Sequence, residues 1–367
     1  MGNNAIFDPH VWAAVPFQFW SAVFFVLGTI VGSFLNVCIY RMPLGLSVIS
    51  PPSYCPHCRY SIPFYLNIPL VTWVLLGGRC RNCNAEISLR YFLVEFFTGL
   101  MFLWVWQAFG HDSALVAPAY WLLLSGLLAA TFIDLEHFII PDEITIGGIV
   151  AGLVLSCLLP GLHHVGSKLE ALKLAMLGAL VGGGVVYAIL RLGKLLFGRQ
   201  KITLPESARV VFTDTSLILP GREIGYDELF YRKTDMVCFH AQRLELVDRG
   251  YKGVSVKLSP GKLEIGDDLL KPEDVPFLDA QCSEIILPRE AMGLGDVKFM
   301  AAIGAFVGGA GVVFSLMGSA VVGSFVGGAM LLAGRGSSRI PYGPYIAVAA
   351  TVWVFAGRGI LHWWLGR

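Results

Sequence analysis

The sequence predicts a polytopic α-helical membrane protein with about eight transmembrane helices, a cysteine-rich cytoplasmic loop and a small β-rich cytoplasmic insertion. Three observations carry this prediction. Of 367 residues, 55% are hydrophobic and only 14% charged, where a soluble domain has about a quarter charged. The charges are also crowded together: 13 Lys/Arg and 16 Asp/Glu fall between Arg199 and Glu290, and the other 275 residues share 24. Finally, two Cys-x-x-Cys pairs stand in the first loop that is rich in arginine. A mean hydropathy of +0.66 excludes a soluble globule and a disordered chain. A net charge of +1 without a basic run gives no footprint for nucleic acid.

A helix needs about 20 mostly apolar residues to cross a bilayer. The candidate spans are Phe17–Tyr40, Tyr91–Phe109, Pro118–Ile133, Ile144–Pro160, Leu172–Leu192, Val297–Gly311, Val312–Ala333 and Gly343–Trp364. The stretch Met1–Phe17 has no Lys or Arg, so the first span does not read as a secretory signal, which has a positive start. Orientation follows from basic residues in short loops. Arg41, Arg59, Arg79, Arg81 and Arg90 face a single acid, Glu86, in the segment after the first span. That segment is therefore expected in the cytoplasm. Alternation then places the charged block inside as well, together with Arg335 and Arg339, and puts both termini outside; Lys168 is an exception.

The charged block reads differently. Ala208–Phe212, Ser216–Leu219, Val237–Leu246, Gly253–Leu258 and Lys262–Ile265 are short and partly alternating, and Ser259-Pro260-Gly261 is a turn signal between two of them. No catalytic constellation is visible there. Cys238, His240 and Cys282 are dispersed and read as structural.

In the first cytoplasmic loop, Cys55-Pro56-His57-Cys58 and Cys80-Arg81-Asn82-Cys83 are separated by 21 residues. Two such knuckles suit one tetrahedral zinc ion, and four thiolates leave no open position, so the metal is structural. Free or redox-active thiols are the alternative. His57 reads as a bystander. Cys38 and Cys157, inside apolar spans, read as packing residues.

Acids within the spans are scarce, and an ionisable group near hydrocarbon is a functional candidate. Asp134 closes the third span and Asp296, in Gly293-Leu294-Gly295-Asp296, opens the sixth. The arginine-derived topology places both at the same membrane face. Brought together, they would form an aspartic-protease pair sharing one proton: the ionised member takes a proton from water while the other polarises the scissile carbonyl. The alternative is that each acid pairs with a nearby cation, Lys298 for Asp296, or caps a helix. Asp142 reads as a helix N-cap. Glu136 and His137 either orient Asp134 or lie in an exposed loop. Glu95 either binds a substrate amine or pairs with Arg90.

At these residues the sequence resembles the bacterial type IV prepilin peptidases, the leader peptidase/N-methyltransferases of the GxGD class of intramembrane aspartic proteases. The resemblance runs along most of the chain. It rests on Gly32-Ser33-Phe34-Leu35-Asn36-Val37-Cys38 through Pro43, the two knuckles, Arg90-Tyr91-Phe92-Leu93-Val94-Glu95, Asp134 through Asp142, Gly293 through Lys298, and Pro341-Tyr342-Gly343-Pro344-Tyr345. It implies cleavage of the short basic leader from type IV prepilins or type II secretion pseudopilins at the cytoplasmic face of the bacterial inner membrane. The cut follows a glycine and commonly exposes a phenylalanine. N-methylation of that residue with S-adenosylmethionine follows in members with the knuckle loop. Asp134 and Asp296 then match the catalytic aspartates. Cys55, Cys58, Cys80 and Cys83 match the zinc ligands, which would hold the methyl-transfer loop in shape. The chain divides into a first span at 1–40, the zinc loop at 41–90, helices carrying Asp134 at 91–198, the insertion at 199–290 and helices carrying Asp296 at 291–367. Partners implied are the prepilin-type substrates and membrane lipid.

Two departures stand out. Leu294 replaces a glycine often found there, and the insertion is much longer than the usual connection. No glycine-rich fingerprint for S-adenosylmethionine is visible, so a peptidase without methyltransferase activity is the nearer alternative. A proton-coupled transporter is the more distant one, and would place its polar groups at midplane in broken helices.

Overall fold

The computed structural model describes residues 15–111, 113–197, 199–230, 235–288, 293–333 and 341–365. Residues before 15, with Arg335 and Arg339 from the orientation argument, lie outside the described residues. The chain forms two compact units, Met1–Tyr187 with Gly293–Arg367, and Ala188–Met292.

The first unit is helical. Its long elements are α1 (Phe17–Arg41), α2 (Leu89–Phe109), α3 (Ala117–His137), α4 (Asp142–Leu158), α5 (Lys168–Phe197, whose last turns belong to the second unit), α6 (Leu294–Leu332) and α7 (Gly343–Leu365). Among the described residues five helices are long and apolar enough to cross a membrane: those containing α1, α2, α3, α5 and α6. Every candidate span falls largely on helix. However, the fourth meets a helix of 17 residues, and the sixth and seventh share one element of 39. At 1.5 Å per residue, 39 residues would run about 58 Å, twice the hydrocarbon thickness. The element is not straight: Gly308 leaves the helical region (φ 71°, ψ 179°). A Cβ on Gly304 would lie 2.9 Å from Val312 Cγ2, although residues eight apart on a straight helix are about 12 Å apart. The chain therefore folds back at Gly308, close to the boundary expected at Gly311.

Large apolar side chains such as Val26, Ile30, Leu180 and Phe325 are exposed, as lipid-facing residues are. Inside the bundle, packing relies on close backbone approach rather than on a hydrophobic drive between helices. A Cβ on Gly178 of α5 would meet the Gly304 carbonyl oxygen at 2.1 Å, so only glycine permits that contact. Some buried polar groups find partners on the backbone of a neighbouring helix, as a surrounding of hydrocarbon favours. Asn36 donates to the Tyr91 carbonyl (3.0 Å), and Trp121 to that of Phe102 (3.0 Å).

The second unit is β-rich. Eight strands form one antiparallel sheet in the order β3-β2-β1-β8-β4-β5-β6-β7. They are β1 (Arg199–Phe212), β2 (Ser216–Leu219), β3 (Arg222–Gly225), β4 (Val237–Leu246), β5 (Gly250–Ser259), β6 (Lys262–Ile265), β7 (Asp268–Leu270) and β8 (Leu278–Pro288). The five expected strands are present. The sequence reading does not name β3, β7 or β8, of which β7 has only three residues. The Ser259–Lys262 turn is closed by the Ser259 hydroxyl donating to the Lys262 carbonyl (3.0 Å). Alternation puts Val237, Phe239 and Ala241 into one core with Val256, Leu278 and Ile285. Cys282 is fully buried in that core, Cys238 is half-buried and His240 is exposed. Among the described residues these three form no metal-binding group. Lys194, near the end of α5, pairs with the buried Asp235 at 2.6 Å.

Candidate active site and metal centre

The two aspartates reach one place by different routes. Asp134 lies in the last turn of α3, where the apolar run of that helix gives way to Leu135-Glu136-His137 and Phe138 takes a left-handed cap (φ 57°). Its side chain is buried, 6% exposed. Asp296 lies in the first turn of α6 and accepts the Gly293 N–H (3.2 Å), closing the helix start on itself. The two residues share a neighbour. Ile140 links them: a Cβ on Gly295 would lie 3.4 Å from its Cβ, and one on Gly343 would lie 3.3 Å from its Cδ1.

Gly343 is the residue that sequence reasoning missed. Its N–H, at the start of α7, donates to Asp134 Oδ2 at 2.8 Å. A Cβ there would sit 2.7 Å from the same oxygen, so a side chain and the observed hydrogen bond cannot coexist. The signal was available in Pro341-Tyr342-Gly343-Pro344-Tyr345, which carries a glycine at a helix start. Nearby, the Tyr342 hydroxyl is hydrogen-bonded to Ser319 (2.9 Å).

The secondary candidates are redistributed. The cap position of α4 is Pro141, and Asp142 is its first residue, with no capping bond. Asp142 instead takes Lys298 (2.6 Å), so that lysine does not pair with Asp296. Arg90 pairs with Glu136 and not with Glu95. The reason is helical geometry: Arg90 and Glu95, five apart, are about 140° apart around α2, and Asp296 and Lys298, two apart, lie on opposite sides of α6. Glu95 is buried (8% exposed). It accepts the Leu70 N–H (2.8 Å) and contacts the Ser33 hydroxyl. Leu70 has φ 62°, so Glu95 ties a left-handed bend of the cysteine loop to α2.

The cysteine loop is built from one motif used twice. In the first knuckle the Cys55 N–H donates to the Tyr60 carbonyl and the Arg59 N–H to that of Cys55. In the second, Cys80 donates to Ala85 and Asn84 to Cys80. Arg59 and Asn84, each directly after its second cysteine, are left-handed (φ 56° and 57°). Short bridges Tyr54–Ser61 and Arg79–Glu86 close the two ends. The turns bring four Sγ atoms within 4.8 Å of one another. Cys55–Cys83 is 3.9 Å and Cys58–Cys80 is 4.0 Å. A tetrahedral zinc with bonds of about 2.3 Å needs sulfurs roughly 3.8 Å apart, so the set fits such an ion. The electrostatics agree. The Asn82 side chain and the Tyr60 backbone pull the Cys58 thiol down to about 6, and backbone N–H groups of Cys83 and Asn82 lower Cys80. Against the Ala85 N–H, burial and the other sulfurs push Cys83 up to about 11. Four crowded sulfurs resist full ionisation, and a divalent cation removes that conflict. His57 contributes no atom to the cluster.

With this geometry in view, comparison with known proteins is specific. Residues 26–109 match the Bacterial Peptidase A24 N-terminal domain, and residues 121–202 match the Type IV leader peptidase family. The chain is 31% identical over 216 residues to the prepilin leader peptidase/N-methyltransferase of Burkholderia pseudomallei, covering 52% of this chain and 67% of that one. The chain belongs to the type IV leader peptidase family. A relative with the same description from Myxococcus xanthus is 46% identical over 162 residues, spanning 44% of this chain and only 45% of the relative. One from Aeromonas hydrophila is 27% identical over 377 residues, covering 96% and 95%. No solved structure matches significantly. The second family match carries Asp134 and stops at residue 202, near where the sheet begins. The Aeromonas alignment, which omits only about 4% of the chain, extends through both aspartates.

Proposed function

We propose that the protein is a membrane aspartic endopeptidase of about eight spans. It removes the leader from type IV prepilins or type II secretion pseudopilins at the cytoplasmic face of the inner membrane, and it N-methylates the new N-terminal residue. The observation that carries the peptidase reading is Ile140, which lies against both Gly295, the neighbour of Asp296, and Gly343, whose N–H is bonded to Asp134. Two like charges at short range share one proton, so one carboxylate can take a proton from water while the other donates to the carbonyl oxygen. Water adds to the carbonyl, the C–N bond breaks, and the proton passes to the leaving amine. The Gly343 N–H orients Asp134 for this exchange.

Support for methyl transfer comes from the relatives' shared description and from the knuckle loop. Cys55, Cys58, Cys80 and Cys83 would hold a structural zinc, and S-adenosylmethionine would supply the methyl group. The test is purified protein with a prepilin-like substrate, with and without S-adenosylmethionine, read by mass spectrometry. Leader loss with a gain of one methyl group is expected; leader loss alone would leave a peptidase without the second activity. Asp134→Asn and Asp296→Asn should each abolish cleavage, and normal cleavage by either sinks the pair.

A further inference from the structure

Residues 60–78, between the two knuckles, carry no charge, and Arg59 and Arg79 stand directly on either side. Nineteen uncharged residues are long enough for a span. The stretch holds Pro63 and Pro69, however, and forms only the short helices Phe64–Leu66 and Val71–Leu75. Irregular backbone cannot face hydrocarbon, because its N–H and C=O groups would lack partners. Apolar side chains nevertheless cover the outside of the stretch. Phe64 is 88% and Leu75 79% exposed, and Tyr65, Ile68, Val71 and Val74 are 49–60% exposed.

The level of the stretch is fixed by α2. The Trp73 ring lies 5.2 Å from that of Phe92, its indole N–H donates to the Ile87 carbonyl (3.3 Å), and the Leu70 N–H donates to Glu95 (2.8 Å). Phe92 and Glu95 are three and six residues into α2, about 5 and 9 Å from its start. That helix is long and apolar enough to cross a membrane, and Arg90 and Tyr91 in its first turn are residue types that favour the headgroup level. Leu70 and Trp73 therefore lie beside the outermost turns of a span. An interfacial segment buries its apolar face at this depth, about 5–10 Å into the boundary between headgroups and acyl chains.

We propose that residues 64–75 are a lipid-binding segment lying in that boundary, with Phe64, Leu75 and their apolar neighbours among the acyl chains and Arg59 and Arg79 at anionic headgroups. Three observations choose lipid as the occupant. Six large apolar side chains exposed within twelve residues would leave an uncovered hydrophobic patch on a loop surrounded by water. Through Trp73 and Phe92 the stretch is continuous with α2, whose Leu89 and Phe97, on either side of that level, are 53% and 42% exposed. The flanking arginines are exposed and carry the charge that an anionic leaflet attracts. Cys58 and Cys80 are next to those arginines in the chain, so the four-sulfur cluster is held at the membrane surface. Neither catalytic activity is needed for this contact, and a protein lacking both would keep it.

The experiment uses the full chain in nanodiscs containing phosphatidylglycerol, with photoreactive p-benzoylphenylalanine in place of Phe64, of Leu75 or, as a reference within α1, of Val26, which is 54% exposed. After irradiation, intact-mass spectrometry should find phospholipid adducts at all three positions. Arg59→Gln combined with Arg79→Gln should lower the adduct yield at Phe64 and Leu75 about twofold or more and leave that at Val26 unchanged. Adducts at Val26 alone overturn the proposal. So does crosslinking of Phe64 and Leu75 to a second copy of the chain, or to an added prepilin-like peptide, in place of lipid. A yield indifferent to the two arginines overturns the headgroup contact. Adducts at none of the three positions overturn the segment together with the membrane-spanning reading.

Discussion

Gly343→Ala tests the site more sharply than removing a carboxylate, because every chemical group of the pair survives. An added Cβ would lie 2.7 Å from Asp134 Oδ2, and ordinary contact begins near 3.4 Å, so about 0.7 Å of separation is required. Asp134 is buried and lies in the last turn of a helix packed in the bundle, so its carboxylate must turn away from Gly343. That turn breaks the 2.8 Å bond from the Gly343 N–H. A hydrogen bond to a charged group is worth about 1.5–3 kcal/mol, and each 1.36 kcal/mol in the barrier is tenfold in rate. The expected loss is therefore roughly 10- to 150-fold in kcat/KM, falling mainly on kcat. The assay is leader release from a prepilin-like substrate, alongside methyl transfer to a pre-cleaved substrate. Methyl transfer should persist, since the nearest neighbours of a Cβ at Gly343 belong to Asp134 and Ile140 and not to the cysteine loop. Cleavage within twofold of the wild type would refute the orienting role of Gly343.

Three further outcomes follow from the same contacts. Cys80→Ser should lose bound zinc by elemental analysis and lower methyl transfer while leaving cleavage largely intact; unchanged metal content would remove the proposed centre. Glu95→Ala orphans the Leu70 N–H, a loss of about 1–3 kcal/mol, and should speed proteolysis within residues 41–90; unaltered protection would show that the contact is incidental. Lys298→Ala removes an ion pair whose side chains are 40% and 59% exposed. Such pairs contribute at most about 1 kcal/mol, so the thermal midpoint should move by no more than about 4 °C, and a larger drop would assign the pair a structural role.

The apolar helices and the knuckle turns are readable in one dimension because their causes are local, and the two aspartates stand out as acids beside apolar runs. A run of apolar residues is enough to require a helix in lipid. Cys-x-x-Cys followed by a left-handed residue is a turn that aims two sulfurs by itself. The partners were not readable in this way. Reading Arg90 with Glu95 and Lys298 with Asp296 followed nearness in sequence, yet helical geometry turns those neighbours apart, and the true partners are 46 and 156 residues away. In the same way, the N–H that orients Asp134 comes from 209 residues along the chain. Composition and period determine which helices form and which face each side chain takes. Only the packing of those helices, through glycines that let backbones touch, decides which faces meet. The surroundings of the two candidate carboxylates belong to that second level, which is why the sequence points to both acids but not to the glycine whose N–H is bonded to one of them.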